Sequence, residues 1–273
     1  MAELTSVVCR AEHFRSEWFR HWQAVLMPQL AENEAPSRPL HRKLWECCAI
    51  TQALSERGML AGGRCGLGFA VGREPLPSLF AMHGVRVTAS DLHPGEPAAD
   101  VWMRTGQHAS HRDDLYVGHL VSRDAFDQLV SFAYVNMLGE WTFRAAAYDF
   151  VWSACSFEHL GSLRAGLDFV VRASALLKPG GVGVHTTEFN VSSNAETLAT
   201  GGTVLYRRRD IEELDGALRR HGFRLAQPDF FPGQDSSDEL YDIPPYGPDT
   251  GRDHIKLLLS GFVTTSMLLI VLA

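Results

Sequence analysis

Several groups of residues in this chain have types and spacing that suit chemistry. The first lies in the stretch RCGLGFAVGREPLPSLFAMHGVRVTASD, residues 64–91, and comprises Gly66, Gly68, Ala70, Gly72, Glu74 and Asp91. Small residues at alternate positions let a backbone bend sharply and let a ligand approach it closely. A carboxylate one helix and one strand later is placed to accept hydrogen bonds from ribose hydroxyls. The other groups are Glu158-His159, then His185-Thr186-Thr187-Glu188-Phe189-Asn190, then residues 242–246 with His254. A histidine near its ordinary pKa can take a proton at neutral pH. His185 is the best single candidate for a base, with Glu188 or Glu158 orienting it or accepting the proton instead. His254 is its rival.

These groups need elements to hold them. Cys65, Leu67 and Phe69 alternate as in a buried strand, and the glycines mark the turn that follows. Pro75 and Pro77 fit a first helical turn, and Leu76, Leu79, Phe80 and Met82 give that helix an apolar face. Val85, Val87 and Ala89 make a second strand with Asp91 at its end. Such a βαβ unit gathers backbone N–H groups and a carboxylate around one crevice. Further strands are expected at 129–137, 148–153 and 182–185, with another starting at His221-Gly222-Phe223 and a last one returning over 255–271. Helices are expected at 167–177 and 209–220. The segment 92–127 is too long for an ordinary connection and should carry a helix and a surface loop. Its histidines, His93, His108 and His111, show no metal-ligand spacing and read as solvated. Residues 1–62 read as helices: Trp18, Phe19, Trp22, Val25 and Leu26 keep helical spacing, Pro28 and the ENEAPSRP stretch break it, and a second helix spans 40–57. These aromatics suit either a cap packed on the sheet or a lid that brings Trp45 or His41 near a substrate.

The G-x-A-x-G turn resembles motif I of class I S-adenosylmethionine-dependent methyltransferases. YDFVWSACSFEHL resembles their motif IV and the helix start after it, and LLKPGG followed by a strand is the most specific match. The resemblance covers roughly residues 63–189. It implies an α/β fold: a Rossmann-like, seven-stranded, mostly parallel sheet with helices on both faces. A helical N-terminal cap over 1–62 would precede a cofactor-binding domain over 63–273. It also implies S-adenosylmethionine contacts at Gly66, Gly68, Ala70, Gly72, Glu74, Asp91, Leu92, Asn136, Met137 and Ser153. Two departures stand out. Gly66 occupies the place of the family's usual acid, so Glu74 would hold the cofactor's amino group. Asn136 could meet the adenine edge, but it suits a turn equally well.

Ubiquinone-pathway O-methyltransferases and small-RNA 2′-O-methyltransferases also resemble this region. They place E-x-x-E-H after strand four, where the side chains can hold a divalent metal. Here Glu158 and His159 match the second half, while Cys155 stands for the first acid. His185 and Glu188 could complete a set of two imidazoles and two carboxylates, which suits Mn, Fe or Zn better than Mg.

Composition narrows the partners. A length of 273 residues with 45% hydrophobic and 21% charged content suits one large α/β domain. A net charge of -7 disfavours a nucleic-acid backbone as partner, and Arg207-Arg208-Arg209 is the one compact basic run. Five cysteines without a regular framework suggest reduced thiols and a cytoplasmic protein. The uncharged run 257–273 is short for a membrane span and is interrupted by Ser260, Gly261, Thr264 and Thr265, so a buried strand is expected there. No Tyr-x-x-x-Lys pair supports a nicotinamide oxidoreductase. The expected reaction is O-methylation of a small hydroxylated acceptor such as a sugar or glycan residue, with Tyr241, Tyr246 and Trp152 as aromatic faces. The excess of candidate bases motivates oxygen over nitrogen. A metal-assisted RNA 2′-O-methyltransferase and a non-catalytic S-adenosylmethionine-binding protein are the alternatives.

Overall fold

In the computed structural model, which describes residues 3–31, 40–246 and 251–273, the apolar runs of the sequence become strands. Among these residues they are β1 (Val7–Val8), β2 (Cys65–Gly68), β3 (Arg86–Asp91), β4 (Val130–Tyr134), β5 (Tyr148–Ala154), β6 (Gly161–Ser162), β7 (Leu177–Asn190), β8 (Thr200–Gly201), β9 (Arg224–Leu225), β10 (Leu257–Leu259) and β11 (Phe262–Leu272). The main sheet runs β1-β11-β7-β5-β2-β3-β4, with β9 and β10 also paired to β11, while β6 and β8 form a separate small ladder. Strands β4, β3, β2, β5 and β7 are mutually parallel, and β11 is antiparallel to β7. The fold is Rossmann-like α/β, as the sequence implied. Strand order reverses between β2 and β5, so a crevice opens beyond their carboxyl ends.

The two-residue period of the strands sorts side chains into two cores. On one face Trp22, Trp45 and Phe80, from helices Glu17–Leu26, Arg42–Ser55 and Leu76–Met82, pack with Phe150, Trp152 and Val184. On the other face helices Leu163–Ser174 and Arg208–Arg220 bring Phe169, Leu214 and Leu218 against Val151, Met267 and Leu269. Local signals start these helices. The Ser16 hydroxyl accepts from Phe19 N at 3.2 Å, and the Ser162 hydroxyl accepts from Ala165 N at 3.2 Å.

Packing explains two of the motif glycines. A Cβ on Gly66 would lie 2.3 Å from the Phe150 ring, and one on Gly68 would lie 2.3 Å from the Trp152 ring. Both rings belong to β5, the neighbouring strand. Gly68→Ala is therefore expected to destabilise the protein by about 1–3 kcal/mol through overpacking. Urea denaturation checks this, and an unchanged midpoint would mean that the indole moves aside freely.

The structure differs from the sequence reading in four places. Residues 1–62 are not helical throughout, because β1 pairs Val7 with Leu268 and Val8 with Met267. The strand expected to start at 221–223 is only the two-residue β9, and it shares the far side of β11 with β1. The run 257–273 is a hairpin, β10 and β11, turned at Ser260 (φ 49°) and Gly261 (φ 86°), and no helix among the described residues is long and apolar enough to cross a membrane. Most consequential, β7 continues to Asn190 rather than ending near His185. The predicted break at 32–39 lies outside the described residues.

Candidate active site

The glycine turn leaves β2 with Ala70 at φ 47° and Gly72 at φ 53°. Most of its N–H groups are engaged within the protein, that of Ala70 excepted. Phe69 N donates to Trp152 O, Val71 N to Ser90 O and Arg73 N to Gln107 O, each at 3.0 Å. Gly72 N donates to Asp91 Oδ2 at 3.1 Å. No bank of four donors faces outward to cradle a pyrophosphate, so a ligand here must be held by shape and side-chain charge.

Asp91 ties the turn to the segment that follows β3. Its Oδ2 also accepts from Ala109 N at 3.2 Å, and its Oδ1 accepts from Leu92 N at 2.8 Å. Burial raises its pKa above the ordinary carboxylate value, and those N–H groups only partly offset this. Oδ1 accepts one N–H, and a carboxylate oxygen can accept two bonds, so a ligand hydroxyl can still be held there. His108, expected in a solvated loop, is buried, with Nε2 at 3.0 Å from Leu92 O and Nδ1 at 3.1 Å from Ser110 Oγ. Glu74 follows the turn, and its Oε1 accepts from Trp152 Nε1 at 2.6 Å. Burial, with Glu46 and Asp91 adding repulsion, pushes its pKa up to about 8.

A second cluster lies where β5 and β7 end, beneath helix Arg42–Ser55. Even-numbered residues of β7 and β11 face that helix. Arg42 Nη2 donates to Glu188, and its Nη1 donates to Ser266 Oγ at 2.8 Å. Glu188 Oε2 accepts from Thr264 Oγ1 at 3.1 Å. Glu46 accepts from Ser266 and lies 3.1 Å from Lys43 Nζ. Burial pushes its pKa up, but Lys43 and Arg42 hold it below the ordinary carboxylate value. Cys155, at φ 42°, donates its thiol to Glu46 Oε1 at 3.2 Å, and burial raises its pKa. Glu158 is fully buried. Its Oε2 accepts from Thr187 Oγ1 at 3.2 Å, its Oε1 has no hydrogen-bond partner, and burial raises its pKa.

The sequence reading and this geometry part company at several residues. His185 was expected at a strand end facing the crevice. Because β7 runs on, it sits within the strand, fully buried on the face opposite Glu188, against Phe157 and Phe169. Burial lowers its pKa to about 3, so it is a neutral core residue. Ser153, expected to touch the cofactor, is also buried there and lies 2.8 Å from His185 Nδ1. Met137 is in the same core. Asn136 is a turn former: its Oδ1 accepts from Leu138 N at 2.9 Å. His159 Nδ1 lies 2.8 Å from Gly202 O, with its ring against Trp102. His254 stacks on His41 at 4.7 Å and lies 2.9 Å from Asp242 Oδ2, at the start of helix Arg42–Ser55. Trp45 and Trp152 are fully buried, which removes Trp45 as a lid residue and Trp152 as a sugar platform.

The expected metal set is therefore not assembled. Glu158 and Glu188 do come together, but with Cys155 in place of the imidazoles; one ligand atom from each lies within 4.8 Å of the others. Arg42 already engages Glu188, and Glu46 already engages the thiol. Sequence reasoning missed Arg42, Lys43 and Glu46. Their signal was a pair of charged residues four apart, Arg42 and Glu46, on the buried side of an otherwise apolar helix.

A cavity of about 740 Å³ lined by Cys65, Arg86, Thr88, Ser131 and Tyr148 lies at the opposite edge, where the strands begin. Ligands of open α/β sheets bind at the carboxyl edge, so the crevice above remains the candidate. Asp149 of the YDF motif is also at that far edge, joining Arg64 at 2.9 Å and Lys178 of the LKPGG motif at 2.6 Å. These motif residues clip the sheet together.

No family model and no curated protein matches the chain. Solved structures similar to it are mostly S-adenosylmethionine-dependent methyltransferases. Phosphoethanolamine N-methyltransferase 2 of Haemonchus contortus, in complex with S-adenosylmethionine, is 21% identical with a TM-score of 0.42, over 64% of this chain and 36% of that one. The chain thus spans little more than a third of that enzyme's length. A methyltransferase of Mesorhizobium loti is 12% identical with a TM-score of 0.47, over 81% and 97%. The 1,6-didemethyltoxoflavin-N1-methyltransferase of Burkholderia thailandensis, with its substrate and S-adenosylhomocysteine bound, is 14% identical with a TM-score of 0.45, over 99% and 93%. At these identities and scores the likeness does not extend to the site or to an acceptor.

Proposed function

We propose that this chain is an S-adenosylmethionine-dependent methyltransferase that O-methylates a small hydroxylated acceptor, such as a sugar. The observation that carries the reading is a row of carboxylates along the carboxyl edge of the sheet, Asp91, Glu74, Glu46 and Glu158, beside a glycine turn most of whose N–H groups are already engaged. Such a crevice suits a cationic nucleoside and not a pyrophosphate. The bound cofactor would supply an activated methyl group. Asp91 would hold its ribose, and the turn would admit it closely.

The acceptor end is the cluster under helix Arg42–Ser55, with the N-terminal segment as its cap. Glu158 replaces His185 as the proposed base: both are buried with an unpartnered atom, but burial raises the basicity of Glu158 and lowers that of His185. The exposed rings of Tyr241 and Tyr246 are offered for a sugar face. An RNA acceptor fits less well. Of the basic run, Arg207 is buried against Asp210, and the exposed Arg208 already pairs with Glu212. Calorimetric titration with S-adenosylmethionine tests the cofactor, and acceptor screening with labelled cofactor tests the oxygen. Asp91→Ala is expected to weaken cofactor binding by at least tenfold, the equivalent of about 1.4 kcal/mol. Unchanged affinity in that variant, or methyl transfer to amines only, would refute the respective half.

A further inference from the structure

We propose that Glu74 is the counter-charge of the cofactor's sulfonium and gives up a proton when that cation binds, so that the protein discriminates charged cofactor from its neutral-sulfur product. This rests on the reading of the crevice as an S-adenosylmethionine site and adds to it the group that senses charge.

Position is the first argument. Glu74 follows Gly72, whose N–H is on Asp91, by two residues, and its own oxygen is on the indole of Trp152, three residues before Cys155, which holds Glu46. Asp91 marks the ribose end of the crevice, and Glu46, which holds the Cys155 thiol, marks the acceptor end. In the cofactor the sulfur joins the ribose to the methyl that is transferred. A carboxylate tied to both ends is therefore the one placed for the sulfur.

The second argument is the company Glu74 keeps. Trp152 of β5 donates to it, and Glu46 and Cys47 of helix Arg42–Ser55 and Asp91 of β3 are near enough to act on it electrostatically. No cation among the described residues pairs with it. The nearby cations are engaged elsewhere: Arg42 with Glu188, Lys43 with Glu46, and Arg73, its chain neighbour, with Asp114 at 2.9 Å. One oxygen is held by the indole N–H. A sulfonium has no N–H to donate, so what it requires is an exposed negative charge and not an array of acceptors.

The third argument is charge balance. With two like charges nearby and no partner, Glu74 holds a proton in the empty site, consistent with a pKa near 8. A cation bound beside it replaces that proton, which leaves to solvent. After transfer the sulfur is neutral, the methyl is on the acceptor oxygen, and Glu74 regains a proton equal to the one the acceptor hydroxyl has lost. The product then faces a neutral acid.

The test is calorimetric titration of the intact protein at pH 7 with S-adenosylmethionine and with S-adenosylhomocysteine, in two buffers of different ionisation enthalpy. The charged ligand should release close to one proton more than the neutral-sulfur ligand. The affinity for the charged ligand relative to the neutral-sulfur ligand should fall by up to about tenfold for each unit that the pH is lowered below 8. Glu74→Gln keeps an acceptor for the indole and should abolish both differences while S-adenosylhomocysteine still binds. Equal proton release by the two ligands, with both bound, overturns this proposal and leaves the cofactor reading standing. Failure of both ligands to bind overturns the two together.

Discussion

Replacing Arg42 with methionine is expected to destabilise the protein by about 3–5 kcal/mol, the largest loss of any single substitution in the site. The guanidinium is 4% exposed and joins three elements: Glu188 of β7, Ser266 of β11 and, at 3.7 Å, Glu46 of its own helix. Against the penalty of burial, Glu188 holds its pKa above the ordinary value, so it is charged at every accessible pH. Methionine would preserve much of the packing and leave Glu188 buried with only the Thr264 hydroxyl. The loss comes from that stranded carboxylate, not from a missing attraction. A second substitution, Glu188→Met, should therefore recover most of the stability in the Arg42→Met background. Urea unfolding of the two single variants and the double variant decides the matter. A loss below 1 kcal/mol for Arg42→Met would mean that Glu188 finds water or a proton instead.

Glu158→Gln is expected to lower turnover by about 10²–10⁴-fold, the usual contribution of general base catalysis, while cofactor affinity stays the same. The carboxamide keeps the contact with Thr187 and has no basic oxygen. The pH dependence gives the sign. Burial raises the pKa of Glu158, with Glu188 adding repulsion, and only the ionised form accepts a proton. Wild-type turnover should therefore climb with pH through a point above the ordinary carboxylate range, and the glutamine variant should lose that climb. Single-turnover rates with labelled cofactor, measured from pH 5 to 9, would reveal it. Turnover within threefold of wild type in the variant would show that the hydroxyl proton leaves by another route.

The parallel half of the sheet was legible because its signals are local. Alternating apolar residues, the glycine turn and Asp91 each mark an element within a few residues, and β2, β3 and β5 lie where those marks put them. The candidate site was less legible because it depends on the phase of β7. With the strand taken to end near His185, residues 185–190 look like one loop that can gather around a ligand. With the strand continuing to Asn190, His185 and Glu188 are an odd number of positions apart and point to opposite faces. One boundary thus turned a proposed base into a core histidine. The partners of Glu188 were beyond reach for another reason: Arg42 is 146 positions away, and no local pattern announces such a pairing. Gly66 and Gly68 were read as room for a ligand, whereas much of that room is filled by Phe150 and Trp152.

The position of β11 bears on how the molecule is made. It lies between β7 on one side and β1, together with β9, on the other, so the N-terminal strand has no place in the sheet until residues 262–272 exist. During synthesis the valines at positions 7 and 8 emerge well before β11 and wait for it, and the flank of β7 stays bare in the meantime. An unpaired strand flank is a template for any other extended chain. The vulnerable period for association between nascent copies is therefore set by the interval between translating β7 and β11, not by the stability of the finished fold.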